Sequence, residues 1–203
     1  GRIASCKFDV RVAVTGMHLS SEFGNTYKEI EQDGIQIDKK ITMLLSSDTP
    51  VGISKSMALA ISGFADYFDE EKPDALMLLG DRFETLAVAC AAMNARIPII
   101  HLYGGEISEG AIDDSIRHAV SKLSYFHFTS TEEYRKRVIQ LGESPDRVFC
   151  VGAMGVENSS KIQKLSFEEL QESIDWTLDR PYALVTFHPV TLEGNTSENQ
   201  VLA

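Results

Sequence analysis

Positive charge, cysteine and long apolar runs are all scarce in this chain. Lysine and arginine total 19 against 30 acidic residues, a formal charge of −11 over 203 residues. That balance argues against a general nucleic-acid binder or a polybasic membrane binder, because phosphate contacts need clustered Lys and Arg. It leaves room for a nucleotide ligand, which one Arg and a few backbone amides can hold. The three cysteines, Cys6, Cys90 and Cys150, have no metal-ligand spacing and cannot all pair. Cys90 falls in an Ala-rich stretch and Cys150 ends an apolar run, so both read as small buried residues. Such usage favours a reducing, cytoplasmic setting. No apolar run reaches membrane-spanning length, and no signal-peptide pattern opens the chain. It does start without Met, which leaves room for a native segment ahead of it. No Cys/His metal constellation and no glycine-rich phosphate loop is present, so neither a metal nor a cofactor is expected.

What is present is a regular alternation of apolar strands and amphipathic helices, on a composition (43% hydrophobic, 24% charged) that can bury an ordinary core. Strands are predicted at residues 10–15, 35–45, 75–79, 97–102, 125–129 and 147–151. Helices are predicted at 48–68, opened by Asp48-Thr49-Pro50, then at 82–94, 112–123, 132–141 and 167–178. Met57, Ala60, Ile61, Phe64 and Phe68 form the stripe of the first of these. Ile112, Ile116, Ala119, Val120 and Leu123 share a face of the third, and Ser130 or Thr131 caps the next. Phe126, Phe128, Phe149 and Phe187 read as core. The pattern predicts an α/β fold with a doubly wound, Rossmann-like parallel sheet. After residue 165 the reading changes: a linker helix, a fresh strand at 182–187, then a helix from Ser197. Residues 1–165 are therefore expected to form one domain, and 166–203 the beginning of a second, truncated one.

In open parallel sheets ligands bind beyond the carboxyl ends of the strands, and charged residues gather at two such ends here. Gly80-Asp81-Arg82-Phe83-Glu84 follows one strand, and Tyr103-Gly104-Gly105-Glu106 follows the next. Asp81 reads either as an N-cap with Glu84 completing a capping box, or as a carboxylate within reach of a ligand. Arg82 reads as a solvated first-turn residue or as a phosphate ligand, since the helix dipole mildly disfavours a cation there. The Gly104-Gly105 pair supplies backbone freedom and would let a substrate approach backbone amides at Gly105. Asp113, Asp114, Arg117 and His118 share the polar face of the following helix, where residues three and four apart meet. They form either a surface ion-pair set or a face of the site. His18 and His188 each sit at a strand end, as satisfied histidines or as ligand contacts.

Taken together, Thr15-Gly-Met-His-Leu19, Gly24-Asn-Thr-Tyr27, Gly80-Asp-Arg-Phe-Glu84, Gly104-Gly-Glu106 and Gly110-Ala-Ile-Asp-Asp-Ser-Ile-Arg-His118 resemble the hydrolysing UDP-N-acetylglucosamine 2-epimerases of sialic-acid-type sugar biosynthesis. The resemblance runs through Phe187-His-Pro-Val-Thr191, and the Asp-Asp-Ser-Ile-Arg-His block is its most specific part. It implies a double-Rossmann enzyme, glycosyltransferase-B-like when intact, with its site in the cleft between domains. It implies catalytic carboxylates at Asp81 and Asp113, with Arg82 and His188 serving the UDP portion. Members of the family often carry a Glu where this chain has Tyr103, so Glu106 is the substitute third carboxylate. Arg117, His118, His18 and Gly105 complete the expected substrate contacts. The implied partner is a UDP-sugar, with no nucleic acid and no membrane, and the implied assembly is a homo-oligomer, dimer or tetramer. The helix at 54–68, with Met57, Ile61, Phe64 and Tyr67 on more than one side, suggests where copies meet.

The implied chemistry removes the C2 proton, eliminates UDP and hydrates the resulting glycal. It needs a carboxylate made more basic by burial or by like-charged neighbours, conditions that three clustered carboxylates create. The departing diphosphate needs positive charge, from Arg82, His188 and helix N-termini. Two other readings remain: a non-hydrolysing epimerase with the same architecture, and a non-catalytic nucleotide-sugar-binding domain.

Overall fold

The computed structural model describes residues 8–187 and 197–202. Among the described residues six strands are formed, all in parallel pairings. β1 (Ala13–Thr15) pairs with β2 (Lys39–Ile41), and β3 (Leu76–Leu79), β4 (Ile99–Leu102), β5 (Phe126–Thr129) and β6 (Val148–Cys150) form a four-stranded sheet in that order. Helices connect them: α1 (Tyr27–Gln32), α2 (Pro50–Glu71), α3 (Phe83–Asn94), α4 (Asp113–Leu123) and α5 (Glu132–Gln140). This is an α/β, Rossmann-like fold, as the alternation predicts.

Local chemistry sets the helix ends. Thr49 caps α2 by accepting from the Gly52 amide at 3.1 Å, with Pro50 in the first turn. Thr131, rather than Ser130, caps α5. The helix α3 begins after Arg82, which makes no side-chain cap, so the capping box expected of Asp81 and Glu84 does not form. Arg82 occupies the cap position, and Asp81 is engaged elsewhere.

The core lies where α2, α3 and α4 pack side by side over the sheet. Phe64, Tyr67 and Phe68 of α2 meet Val88, Ala89, Ala91 and Ala92 of α3, with Ile99, Ile116 and Val120 completing the cluster. The alanines explain the close approach, since α3 has a helix on either side. Burying Phe64 and Phe68 contributes about 2 kcal/mol or more apiece. Ala60 is buried, and Met57 and Ile61 pack against buried neighbours. The residues that suggested an assembly surface on α2 therefore face inward.

Several expected core residues lie elsewhere. The pleat turns His127 and Thr129 toward the helices, so Phe126 and Phe128 take the opposite face of β5. There Phe128 stacks on Phe149 at 5.4 Å, and Phe126 (36% exposed) and Phe149 (41%) remain open to solvent. Ile112 precedes α4 and is exposed rather than part of its buried stripe. Cys150 is exposed too, at the outer strand β6, and Cys90 is half-buried. A helix unannounced by the pattern, α6 (Met154–Lys161), follows β6, and α7 (Phe167–Ile174) ends at Asp175 in the left-handed region. Residues 182–187 form no strand, and Phe187 is 47% exposed. A strand needs a ladder partner, and among the described residues none lies alongside. The helix expected from Ser197 is present as α8 (Ser197–Leu202). No described helix is long and apolar enough to cross a membrane.

Candidate active site

Three parallel strands deliver their following residues to one edge of the sheet. β3 ends at Gly80, whose φ of +86° turns the chain toward Asp81. β4 ends at Tyr103, itself in the left-handed region at φ +65°, which is a strained conformation for an aromatic residue. The Tyr103 amide donates to the Phe128 carbonyl at 2.9 Å, so the backbone stays tied to β5 through the bend. Gly104, Gly105 and Glu106 then lead toward α4.

Arg117 of α4 sits at the centre of this edge. Its side chain is 4% exposed, and both terminal nitrogens of its fork are engaged. Nη2 donates to the Asp81 carboxylate and to Ser108 Oγ at 2.9 Å. Nη1 donates to the Glu106 carbonyl at 2.7 Å and to Asp114 Oδ1 at 3.3 Å. The same Asp114 oxygen accepts from the Ser108 amide, and Oδ2 lies 3.6 Å from His118 Nε2. One guanidinium thus gathers a catalytic candidate, the loop after β4 and the first turn of α4. It is not the surface ion pair that helical spacing alone would allow: its pair with Asp114 is one contact of a buried set that also reaches Asp81, Glu106 and Ser108.

Glu106 is half-buried, and its Oε1 accepts from Ser130 Oγ at 2.7 Å, at the end of β5. Asp113, in the first turn of α4, is half-buried and makes no hydrogen bond or ion pair among the described residues. A carboxylate left free beside a helix N-terminus is available to a ligand. His118 is half-buried, and its Nδ1 has no partner among the described residues.

Gly105 is placed differently from expectation. It is buried, and a Cβ there would collide with the Tyr134 carbonyl of α5, while its own carbonyl accepts from Arg137. Glycine is required at this position by the close approach of a helix. Arg82 is half-exposed at the cleft, with Nε 3.3 Å from Glu84 Oε2 and Nη2 against Met17 Sδ. Glu84 is buried beneath it, and a Cβ on Gly16 would meet Glu84 Cγ at 2.9 Å. A cleft of about 390 Å³ opens beside Arg82, between the turns after β1 (Met17, Phe23) and the loop after β2 (Ser46, Ser47). His18 is exposed and its Nδ1 lies 2.7 Å from Thr26 Oγ1. His188 lies outside the described residues. Tyr103 places its Oη where it accepts from the Met154 amide at 2.7 Å, at the start of α6.

Two buried residues missing from the sequence reading lie beneath this edge. His101 of β4 is fully buried, with Nε2 3.0 Å from the Gly80 carbonyl and Nδ1 3.2 Å from Ser121 Oγ. Burial lowers its pKa to about 4, partly offset by the Gly80 carbonyl. His127, on β5, is also pushed down by burial, and Glu143 pulls it partly back. Both alternate with apolar neighbours, a pattern that reads as ordinary strand.

Comparison with known proteins gives these residues a context. A family described as UDP-N-acetylglucosamine 2-epimerase matches residues 3–203. The GDP/UDP-N,N'-diacetylbacillosamine 2-epimerase (hydrolyzing) of Campylobacter jejuni is 44% identical over 95% of this chain and 50% of its own length. The polysialic acid biosynthesis protein P7 of Escherichia coli is 42% identical, over 94% and 48%. The chain therefore spans about half the length of the curated relatives it matches. Among solved structures, the UDP-GlcNAc 2-epimerase of Neisseria meningitidis, bound to UDP-GlcNAc, superposes with a TM-score of 0.64 at 20% identity, covering 81% of this chain and 46% of that one. That likeness concerns the fold.

Proposed function

The chain belongs to the UDP-N-acetylglucosamine 2-epimerase family, and from that premise we propose that the whole protein is a hydrolysing UDP-sugar 2-epimerase. Its substrate is a UDP-linked acetamido sugar, and its products are UDP and the free 2-epimer. The relatives from Campylobacter jejuni and Legionella pneumophila, 44% and 38% identical, carry hydrolysing names, which favours this reading over the non-hydrolysing one. Their diacetamido substrate puts that class beside UDP-N-acetylglucosamine as the pair to test.

The single observation that supports the assignment most is the Arg117 hub, which ties the Asp81 carboxylate at the strand edge to the first turn of α4, where Asp113 has no partner among the described residues. In the proposed sequence one carboxylate of this set takes the C2 proton. The C1–O bond breaks, and the electron pair leaves with the UDP oxygen, giving a C1=C2 glycal. Water then adds its hydroxyl to C1, and a proton returns to C2 from the opposite face. Two carboxylates on different elements, Asp81 after β3 and Asp113 on α4, suit proton delivery from two directions. Arg82, exposed at the cleft, is the diphosphate contact in this reading, and His188 is its expected companion.

The domain division belongs to the same proposal. Residues 1–165 form the first Rossmann-like domain, and 166–203 lead into a second, whose remainder would complete an interdomain site. Assembly as a homo-oligomer and a cytoplasmic setting are likewise proposed. Since Phe64 and Tyr67 are buried, Val51 and Leu59 are the exposed apolar residues α2 offers to another copy. Product analysis by NMR tests the function. UDP plus free 2-epimer supports it, and an epimerised sugar still joined to UDP refutes the hydrolysing assignment.

A further inference from the structure

The buried imidazole of His101 has no place in the chemistry above, yet its surroundings are specified on every side. Nε2 lies 3.0 Å from the Gly80 carbonyl, which can only accept, so Nε2 carries the proton. Nδ1 lies 3.2 Å from Ser121 Oγ and therefore accepts from the serine hydroxyl. Neither residue has measurable exposure. Gly104 closes the pair, since a Cβ there would stand 3.0 Å from Ser121 Oγ and 3.2 Å from His101 Nδ1. The chain of donors thus runs from Ser121 on α4, through His101 on β4, to the carbonyl of the residue immediately before Asp81.

We propose that His101 is a positioning residue for Asp81, with Ser121 selecting its tautomer and the Gly80 carbonyl receiving its proton. The proposal rests on the reading of Asp81 as a member of the acid/base set. Gly80 sits at φ +86°, where the chain leaves β3, and its peptide orientation sets the direction in which Asp81 departs. Arg117 holds the carboxylate from one end. His101 holds the preceding peptide from the other, so Asp81 is fixed at both its side chain and its backbone. A buried histidine serving only as packing would need neither contact, and an apolar residue of similar size would serve better. Burial keeps the ring neutral, the form in which one nitrogen donates and the other accepts.

The test compares His101→Gln with His101→Met in the full-length protein. The two side chains have similar length and no charge, but only Gln carries a donor that can reach the position of Nε2. With UDP-N-acetylglucosamine as substrate, His101→Met is expected to lower kcat about tenfold or more, the scale of a small misplacement of a reacting group. KM and UDP affinity stay within about twofold, and His101→Gln recovers most of kcat. Equal kcat for the two variants, or a loss confined to UDP affinity, overturns the proposal. A second measurement needs no variant and no substrate: ¹⁵N NMR of the wild-type imidazole at neutral pH. A neutral ring protonated at Nε2 is expected, and protonation at Nδ1 contradicts the hydrogen-bond chain directly. If the wild type turns over no UDP-sugar, the functional reading fails, and the tautomer still decides the arrangement around Gly80.

Discussion

Arg117 and Asp81, 36 residues apart in sequence, form an ion pair in which the guanidinium is almost completely enclosed and the carboxylate is one-quarter exposed. The asymmetry assigns their roles. The buried partner is the fixed one, and the exposed partner keeps an oxygen for something else. Replacing Arg117 with Met strands two carboxylates, a carbonyl and a hydroxyl at once. A loss of about 2 kcal/mol or more of folding stability is expected in urea unfolding, because breaking a buried pair leaves its partners uncompensated. A change within about 0.5 kcal/mol, the range of ordinary surface substitutions, would show that the hub contributes nothing.

Asp81→Asn and Arg82→Ala separate chemistry from recognition. Asn at 81 keeps an acceptor for Arg117 but cannot take a proton, so turnover should fall roughly a hundredfold or more while UDP still binds. Arg82 is half-exposed, and its ion pair with Glu84 adds little. Arg82→Ala should therefore weaken UDP affinity first, by removing a charge-assisted phosphate contact. Calorimetric titration with UDP beside steady-state kinetics reads both effects. Normal turnover by the Asn variant contradicts the role of Asp81.

Glu106 and Tyr103 compete for the third catalytic place, and their contacts differ. Glu106 is held by Ser130, whereas the Tyr103 oxygen already accepts an amide from Met154. Glu106→Gln is expected to lower kcat by about tenfold or more, in the range of an acid/base group. Tyr103→Phe is expected to loosen the start of α6 with a smaller kinetic effect. The reverse order in kcat would transfer the assignment to Tyr103.

Stability should fall on mild acidification. His101 titrates near 4 in the fold and near 6.5 in the unfolded chain. Between these values the unfolded state binds more protons, so stability is complete above the unfolded value and declines as pH falls toward the folded one. The slope for one such group approaches about 1.4 kcal/mol per pH unit. His127, also lowered by burial, acts in the same direction. Urea midpoints measured from pH 7 to pH 5 should show the decline, and His101→Gln should flatten it. An unchanged slope in that variant contradicts a neutral, buried His101.

The legible parts of this protein are those where one segment carries its own signal. Residues 76–106 announce strand, turn, helix and strand by apolar runs broken at Gly80 and Gly104, and the structure follows them closely. Asp81 is visible as charge placed at a strand end, whereas Asp113 is one of several charges on a helix face and is singled out by the family resemblance alone. What spacing could not show is partnership over distance. Helical spacing shows the pairing of Arg117 with Asp114, but not its contacts with Asp81, Glu106 and Ser108 in the segments after β3 and β4. Nor does spacing show that a helix later in sequence packs against Gly105. His101 and His127 hid in the period-two pattern of their strands, and the same pleat sent Phe126 and Phe149 to the other face. Only the register of neighbouring strands decides which residues meet the helices.

In the proposed mechanism a carboxylate of the Asp81 set removes the C2 proton before UDP departs. Turnover of UDP-N-acetylglucosamine by the whole protein in deuterated water reads this directly by NMR. Free N-acetylmannosamine carrying deuterium at C2 is expected, with UDP released in equal amount. Product bearing the original hydrogen at C2, in a reaction that releases UDP at a normal rate, would contradict it.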